Sequence, residues 1–170
     1  MKEYRITDIS KEEYKKLYEL AYHDNLTGCY NRNWFVENFN DEDEFKFIMV
    51  DINDLKKEND TKGHFAGDKL IKDVAKCLMQ YGDVVRYGGD EFILIAPKDF
   101  DVKVLNSKKY CYGWFVKDKS NTLIEVLQLA DYCLNMRKRS IKGMFKKGYS
   151  ERKVELKKLN MKKADTFNLS

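Results

Sequence analysis

Apolar side chains recur every three to four residues in several stretches, a spacing that is typical of helices with one buried face. The run 10–13 (Ser-Lys-Glu-Glu) resembles a capping box and predicts a helix that continues to about residue 22. Further helices are predicted over about 32–39 and 66–79, and Ser120 is predicted to cap a last one. The polar stretch 54–63 ends in glycine and is predicted to be a loop or a frayed helix.

Three continuous apolar runs predict strands. They cover residues 45–52, 84–96 and 110–117, and Gly88-Gly89 interrupts the second run. Gly-Gly between two strands is typical of a two-residue hairpin turn, because a tight primed turn needs positive φ angles that glycine adopts without strain. The resulting order of helix, helix, strand, helix, hairpin, strand and helix predicts a single mixed α/β domain.

Acidic residues stand where these strands end or begin. Asp90 and Glu91 directly follow the glycine turn, and Asp51 follows the apolar run 47–50. No packing requirement explains these acids. If the two strands are neighbours, Asp51 and Asp90 converge on one small volume, and such carboxylates are typical ligands of a hard divalent cation.

The composition is that of one well-packed domain. The 170 residues are 43% apolar and include a single proline, which argues against a long disordered linker. No apolar run approaches the ~20 residues that span a bilayer. Charged residues rather than an apolar segment follow Met1, so no signal peptide is visible, and the four scattered cysteines favour reduced thiols. We therefore expect a cytoplasmic protein with no membrane partner.

Positive charge is concentrated towards the C-terminal end of the chain. Residues 137–163 carry twelve Lys or Arg against two Glu, whereas the whole chain has a net charge of only +4. This asymmetry suggests an acidic body that binds metal and a basic end that meets phosphate. A solvated, lysine-rich tail is the alternative interpretation after residue 143. Few aromatic residues accompany this charge, so a nucleic-acid partner is not expected.

Four motif-like segments occur in order along the chain. Residues 24–32 read D-N-L-T-G-C-Y-N-R, residues 51–68 begin D-I-N and end G-H-F-A-G-D, residues 86–92 read R-Y-G-G-D-E-F, and residues 130–138 begin A-D and end in lysine. Together they resemble the GGDEF family of diguanylate cyclases. The resemblance covers residues 24–142. It implies a palm-like α+β fold, with a mostly antiparallel central sheet flanked by helices, that condenses two GTP into cyclic di-GMP.

The resemblance also implies roles for the acids. Asp51, the backbone carbonyl of Ile52 and Asp90 are the expected ligands of Mg²⁺, two ions per site, with Mn²⁺ as a possible substitute. Metal ions that bridge the triphosphate neutralise charge at the attacked phosphorus and lower the pKa of the attacking 3′-hydroxyl. Asp90 or Glu91 is the expected acceptor of the hydroxyl proton.

Other motif positions are expected to bind the nucleotide. Asn59 and Asp68 correspond to the guanine readers of the family, because a carboxylate accepts from guanine N1–H and N2–H₂ while an amide donates to O6. His64 and Lys56 are further candidates, with helix capping and a solvated side chain as their alternatives.

The phosphates have their own candidates. Lys138 and Lys142 lie four residues apart on one helix face and are expected to hold the β- and γ-phosphates. Gly88 and Gly89 let the backbone approach phosphate without a Cβ in the way. Arg86 is expected to form a structural salt bridge instead.

The chain departs from the family pattern at several positions. Asn53 replaces the second acid of D-I-D, Leu55 replaces the phenylalanine that follows, and Asn135 and Arg137 replace a tyrosine and an alanine. The interval from Phe92 to the A-D segment is short, with one strand where the family fits a helix and extra strands. We therefore expect a trimmed version of the fold.

The sequence leaves three functions open: an active diguanylate cyclase, a binding module for GTP or a cyclic dinucleotide, and a minimal palm cyclase with another cyclic product. An active cyclase requires two GTP-loaded domains that face each other, so a homodimer is expected. The predicted domain organisation is an N-terminal helix at 1–23, which either dimerises or packs on its own domain, a cyclase domain at 24–142 and a basic extension at 143–170.

Overall fold

A five-stranded mixed sheet organises the part of the chain that the computed structural model describes, residues 9–39 and 42–141. The elements in chain order are α1 (Lys11–Tyr22), β1 (Tyr30–Asn31), α2 (Arg32–Asn38), β2 (Phe45–Ile52), α3 (Leu55–Lys62), α4 (His64–Leu78), β3 (Asp83–Arg86), β4 (Glu91–Ala96), a 3₁₀ helix (Val102–Leu105), β5 (Tyr110–Lys117) and α5 (Leu123–Ile141). In this part of the chain, no helix is long and apolar enough to cross a membrane.

The strands lie in the order β1-β3-β4-β2-β5. Only the short β1 runs parallel to its neighbour, β3, and the pairs β3–β4, β4–β2 and β2–β5 are all antiparallel. The predicted mostly antiparallel sheet with flanking helices is therefore confirmed.

The side chains of β2 alternate between two hydrophobic layers, because successive residues of a strand point to opposite faces. Ile48 and Val50 join the layer that contains Ile71, Val74 and Leu78 of α4. Phe47 and Met49 join the opposite layer, which contains Phe35 of α2 and Val126, Ala130 and Leu134 of α5. Asp51 continues the series of Phe47 and Met49, so its side chain belongs to the α5 face.

Helix α5 lies directly against β5 at a single glycine. A Cβ added to Gly113 would be 2.1 Å from the backbone nitrogen of Leu134, far inside van der Waals contact. No other residue type fits here without moving the helix. This contact fixes the height of α5 above the sheet, and Lys138 lies one turn beyond it.

The N-terminal helix is capped as predicted but hardly buried. The Ser10 hydroxyl accepts from the Glu13 backbone N–H at 3.2 Å, and the Glu13 carboxylate accepts from the Ser10 N–H at 2.9 Å. None of the α1 side chains is buried, and Tyr14, Leu17 and Leu20 are more than half exposed. Helix α1 does contact α2, where the Tyr22 hydroxyl donates to the Glu37 carboxylate, so dimerisation through α1 and packing of α1 on its own domain both stay predictions.

The predicted two-residue hairpin turn is wrong, although β3 and β4 do form a hairpin. The connection comprises four residues, 87–90, and the N–H groups of Tyr87 and Gly88 both donate to the Glu91 carbonyl, at 2.9 and 3.2 Å. Neither Gly88 nor Gly89 has a positive φ; among the described glycines only Gly28 and Gly63 do. A longer loop reverses the chain with ordinary backbone angles.

The structure decides one open alternative and corrects one helix cap. The polar stretch after Asp54 is a helix, α3, which is one of the two predicted states, and the Lys62–Glu58 ion pair at 2.9 Å spans one of its turns. Thr122 rather than Ser120 caps α5, because the Thr122 hydroxyl and the Glu125 carboxylate form a capping box. Ser120 instead bonds to Asp118 in the preceding turn.

The trimmed interval is as short as expected. The structure describes all residues between β4 and α5, and they form one 3₁₀ helix and one strand, β5. Asn53, one of the departures from the family pattern, ties β2 to this interval: its side-chain amide donates to the Lys108 carbonyl at 3.1 Å, and its backbone N–H donates to Lys109 at 2.8 Å.

Candidate active site

The acids predicted from the two strands lie at one end of the sheet. Asp51 of β2 is directly opposite Glu91 of β4, and the Ile52 N–H donates to the Asp90 carbonyl at 3.0 Å. Directly opposite residues have Cβ atoms about 4.5–5.5 Å apart, and two like charges in such a pair destabilise the sheet. The fold therefore holds two carboxylates together at a cost that packing does not explain.

A lysine from α5 reaches these acids. Lys138 Nζ is 2.7 Å from Asp51 Oδ2 in a salt bridge, with side chains that are 31% and 14% exposed. The sequence placed Lys138 on the face that continues the apolar stripe of α5, but it did not predict this partner. Lys142, the second predicted phosphate ligand, lies outside the described residues.

The acids at the sheet end act on one another electrostatically. Partial burial raises the pKa of Glu91, and the negative charges of Asp51 and Asp90 raise it further, while Lys138 works in the opposite direction. A Cβ on Gly88 would come within 3.0 Å of Glu91 Oε2, so glycine at this position leaves room for the carboxylate.

Arg86 supports the turn that carries Asp90. Its guanidinium bonds to both carboxylate oxygens of Asp24, at 3.1 and 3.2 Å, and to the Gly89 carbonyl at 2.8 Å. The predicted structural salt bridge is therefore present, but its partner belongs to the opening segment rather than to the hairpin. Burial alone would raise the pKa of Asp24, yet hydrogen bonds from Thr27 and Arg86 outweigh it and the pKa is lowered.

Asp24 and Thr27 are the supporting residues that sequence reasoning missed. The Thr27 N–H and hydroxyl both donate to Asp24 Oδ1, at 2.9 and 2.7 Å, and so orient the carboxylate towards Arg86. Both residues belong to the D-N-L-T-G segment, and its charge complementarity to Arg86 was the available signal.

The predicted guanine readers lie on the α3–α4 helix pair. A Cβ on Gly67 would be 1.9 Å from Asn59 Oδ1, so the Asn59 amide rests against the backbone next to Asp68. Both Asn59 and Asp68 are partly exposed, and His64 and Lys56 are exposed. The structure thus brings Asn59 close to the α4 turn that carries Asp68.

The donor set at the sheet end fits a hard divalent cation. In residues 9–39 and 42–141, no three His, Cys, Asp or Glu side chains form a candidate metal group. The predicted set instead combines two carboxylates, Asp51 and Asp90, with the backbone carbonyl of Ile52, and all of these donors are oxygen. The Lys138 ammonium on Asp51 shows that this position already attracts a cation.

The family assignment follows from comparison with known proteins. Residues 21–110, more than half of the chain, match the family model described as "Diguanylate cyclase, GGDEF domain". The chain belongs to the GGDEF family.

Curated relatives of this GGDEF chain include proteins with different activities. It is 39% identical over 100 residues to diguanylate cyclase VdcA of Vibrio cholerae, and 35% identical over 102 residues to the cyclic di-GMP phosphodiesterase PdeR of Escherichia coli. The matches cover 51% and 53% of this chain but only 28% and 15% of those proteins. The chain thus spans less than a third of their length.

Solved GGDEF structures share the fold. The coiled coil and GGDEF domain of DgcB from Caulobacter crescentus, in complex with c-di-GMP, has a TM-score of 0.67 at 22% identity and covers 76% of this chain and 87% of that chain. Diguanylate cyclase SiaD of Pseudomonas aeruginosa, in complex with its activator SiaC, has a TM-score of 0.63 at 23% identity and covers 76% and 63%. At these identities the likeness concerns the fold alone.

Proposed function

We propose that this GGDEF domain is a diguanylate cyclase, which condenses two GTP into cyclic di-GMP and pyrophosphate. The observation that carries the proposal is the cross-strand pair of Asp51 and Glu91 beside the Asp90 turn, with Lys138 in contact. A domain that only bound another protein would have no use for like charges held face to face.

Asp51, Asp90 and the Ile52 carbonyl would hold Mg²⁺, two ions per site, or Mn²⁺ in its place. When bound, the metal would neutralise phosphate charge and lower the pKa of the attacking 3′-hydroxyl. Glu91 or Asp90 then accepts the proton of that hydroxyl. Glu91 lies directly opposite Asp51 and so next to the proposed metal ligands, which favours this role.

The remaining predicted residues bind and orient GTP. Asn59 and Asp68 read the edge of guanine. The exposed side chains of Lys56, in the first turn of α3, and His64, at the start of α4, are further ligands. Lys138 and Lys142 hold the terminal phosphates. Gly88 and Gly89 admit the triphosphate close to the backbone.

Catalysis requires two domains, because one site supplies the 3′-hydroxyl that the phosphate in the other site receives. We propose that α1 mediates this homodimer. Its support is the row of apolar side chains, Tyr14, Leu17 and Leu20, that are 65%, 54% and 62% exposed. A face of this kind is typical of a helix that pairs with another helix.

The test is incubation with Mg²⁺ and each nucleoside triphosphate in turn, followed by identification of the products by mass spectrometry. We expect cyclic di-GMP from GTP alone. Asp90→Asn removes a charge worth several kcal/mol, so the rate should fall at least ~100-fold. Asp99→Asn, in the exposed loop after β4, is the matched control and should retain the rate. Equal rates for the wild type and Asp90→Asn would rule out the proposed site.

A binding module for GTP or a cyclic dinucleotide is the second candidate. It is favoured by the match to PdeR, which is a cyclic di-GMP phosphodiesterase, and by the shortened interval before α5. Micromolar GTP binding without any product would support it. An adenine-containing product would indicate instead a palm cyclase of different specificity.

A further inference from the structure

Lys138 has a contact that its predicted role does not explain. A lysine that serves only the terminal phosphates has no need of a protein carboxylate, yet Lys138 Nζ lies 2.7 Å from Asp51 Oδ2. Asp51 is also the central candidate for a metal ligand. The ammonium already neutralises the carboxylate that a divalent ion would bind, and two cations at this carboxylate repel each other, so they compete for Asp51.

The contact follows from the packing of α5. The close approach at Gly113 fixes the backbone of Leu134 against β5, and Lys138 follows one turn later on the same face. Asp51 projects to that face because it shares the parity of Phe47 and Met49. The fold thus brings the lysine stem to the acid, while the head group remains free to move because the side chain is 31% exposed and has four rotatable methylenes.

We propose that Lys138 is a built-in counter-cation that occupies Asp51 in the metal-free protein and is displaced by the divalent ion, which releases its ammonium to the nucleotide phosphates. The inference rests on the proposed function. At Asp51, the single positive charge of Lys138 is exchanged for the double positive charge of the ion. The displaced ammonium then moves to the phosphates of the nucleotide that binds with the metal. Metal and nucleotide binding are then coupled through one side chain.

The inference predicts effects of opposite sign from one substitution. Lys138→Met keeps most of the stem and removes the charge, so it eliminates a competitor for Asp51 and should strengthen metal binding in the absence of nucleotide. The same substitution removes a phosphate ligand and should weaken GTP binding. If Lys138 acted only on phosphate, Lys138→Met would weaken GTP binding and leave metal binding unchanged.

The experiment is a titration of the nucleotide-free protein with Mn²⁺, in which electron paramagnetic resonance measures the concentration of free ion. We expect Lys138→Met to bind Mn²⁺ roughly twofold to fivefold more tightly than the wild type, the range expected for loss of one partly exposed ion pair. Lys98→Met is the matched control, because Lys98 also forms an ion pair, with Glu44 at 3.0 Å, away from the site. It should bind Mn²⁺ as the wild type does.

A second readout separates displacement from a general effect of charge. In protein with isotope-labelled lysine, the Lys138 side-chain signal, assigned by its loss in Lys138→Met, should shift when Mg²⁺ is added. The signal should not shift in Asp51→Asn. Unchanged Mn²⁺ affinity in Lys138→Met, an equal gain in Lys98→Met, or no Mn²⁺ binding by either protein would each overturn the proposal.

The outcome is distinguishable from that of the proposed function, since neither readout requires turnover. A tighter Mn²⁺ complex in a protein that makes no cyclic di-GMP would support the exchange at Asp51 and reject the cyclase. Cyclic di-GMP production with unchanged Mn²⁺ affinity would do the reverse.

Discussion

The two halves of the candidate site are built in different ways. The sheet end comprises Asp51, Asp90 and Glu91. It is fixed by strand register, by the Lys138–Asp51 ion pair, and by Arg86, which pairs with Asp24 and bonds to the turn before Asp90. The helical end comprises Asn59 and Asp68. It lies on the helix pair α3 and α4, where the Asn59 side chain rests against Gly67. The first turn of α4, at this helical end, is open to solvent, since Phe65 there is 93% exposed.

The difference matches what each half would have to do in the proposed cyclase. Reacting groups must be held within a fraction of an ångström, and strands of a sheet provide that precision. Recognition of a base edge relies on a few hydrogen bonds and tolerates small adjustments of a helix pair. Substitutions at the sheet end should therefore act on kcat and stability, and those at the helical end on KM.

The largest effect is expected from Gly113→Ala, a substitution in β5 that acts on the sheet end by displacing α5. The added Cβ would be 2.1 Å from the Leu134 nitrogen, and since this is backbone, α5 must move as a whole. We expect a loss of about 1–3 kcal/mol in the free energy of unfolding and a lower kcat, with KM for GTP little changed. Urea denaturation and steady-state kinetics measure both.

Ile124→Ala is the control for this change, because Ile124 lies on the same helix but is 62% exposed. Its unfolding free energy should stay within about 0.5 kcal/mol of the wild type. A Gly113→Ala protein with wild-type stability would show that the height of α5 is not set at this contact.

A smaller and opposite pattern is expected from Gly67→Ala. The new Cβ would meet only the end of the Asn59 side chain, which can rotate away, and alanine favours the helix by about 1 kcal/mol over glycine. The protein should therefore unfold no more easily, while displacement of the Asn59 amide should raise KM about tenfold, equivalent to one lost hydrogen bond.

Asn59→Ala provides the comparison for Gly67→Ala. If both changes act through the same amide, the double variant should show the KM of either single variant rather than the product of the two effects. A large fall in kcat for Gly67→Ala would contradict the division between the two halves of the site.

The smallest effect is expected from Asp24→Asn, which loosens the support of the Asp90 turn. The folded-state pKa of Asp24 is lowered below its usual 3.8, so the charged form stabilises the fold above that pH and the contribution disappears as pH falls through the folded value. At pH 7 the variant should lose up to about 1 kcal/mol, the scale of a partly exposed ion pair.

The difference in urea midpoint between the wild type and Asp24→Asn should therefore shrink as pH falls from 7 to below 3.8. A difference that stayed constant over this range would mean that the Asp24 charge does not contribute. Thr27→Val, which removes one of the two donors that orient Asp24, should reproduce part of the effect.

Hydrophobic pattern predicted most of the fold, because β2, β4 and β5 are apolar runs whose burial leaves little choice. It left 55–62 open between a loop and a frayed helix, because these residues are nearly all polar and show no apolar period. The two-residue strand β1 is too short to show any period. The positive φ assigned to the glycine turn was wrong, because loop length cannot be read from the glycines alone.

Of the candidate site, the sequence predicted that the acids of β2 and the hairpin would lie together, and adjacent pairing of β2 and β4 confirms it. The sequence did not predict the contacts between residues that are far apart along the chain. The pairing of Arg86 with Asp24 depends on where the opening turn folds back, and the contact of Lys138 with Asp51 depends on the height of α5 above β5. Both are set by packing rather than by a local pattern.

The alternation of β2 constrains how this site can change in evolution. Asp51 faces α5 only because it is an even number of residues from Phe47 and Met49, and a slip of one residue would turn it into the layer of Ile48 and Val50. Insertions and deletions within β2 therefore cannot adjust the site gradually; they exchange its two faces at once. New properties are accessible only through substitutions, or through length changes in the loops outside the sheet.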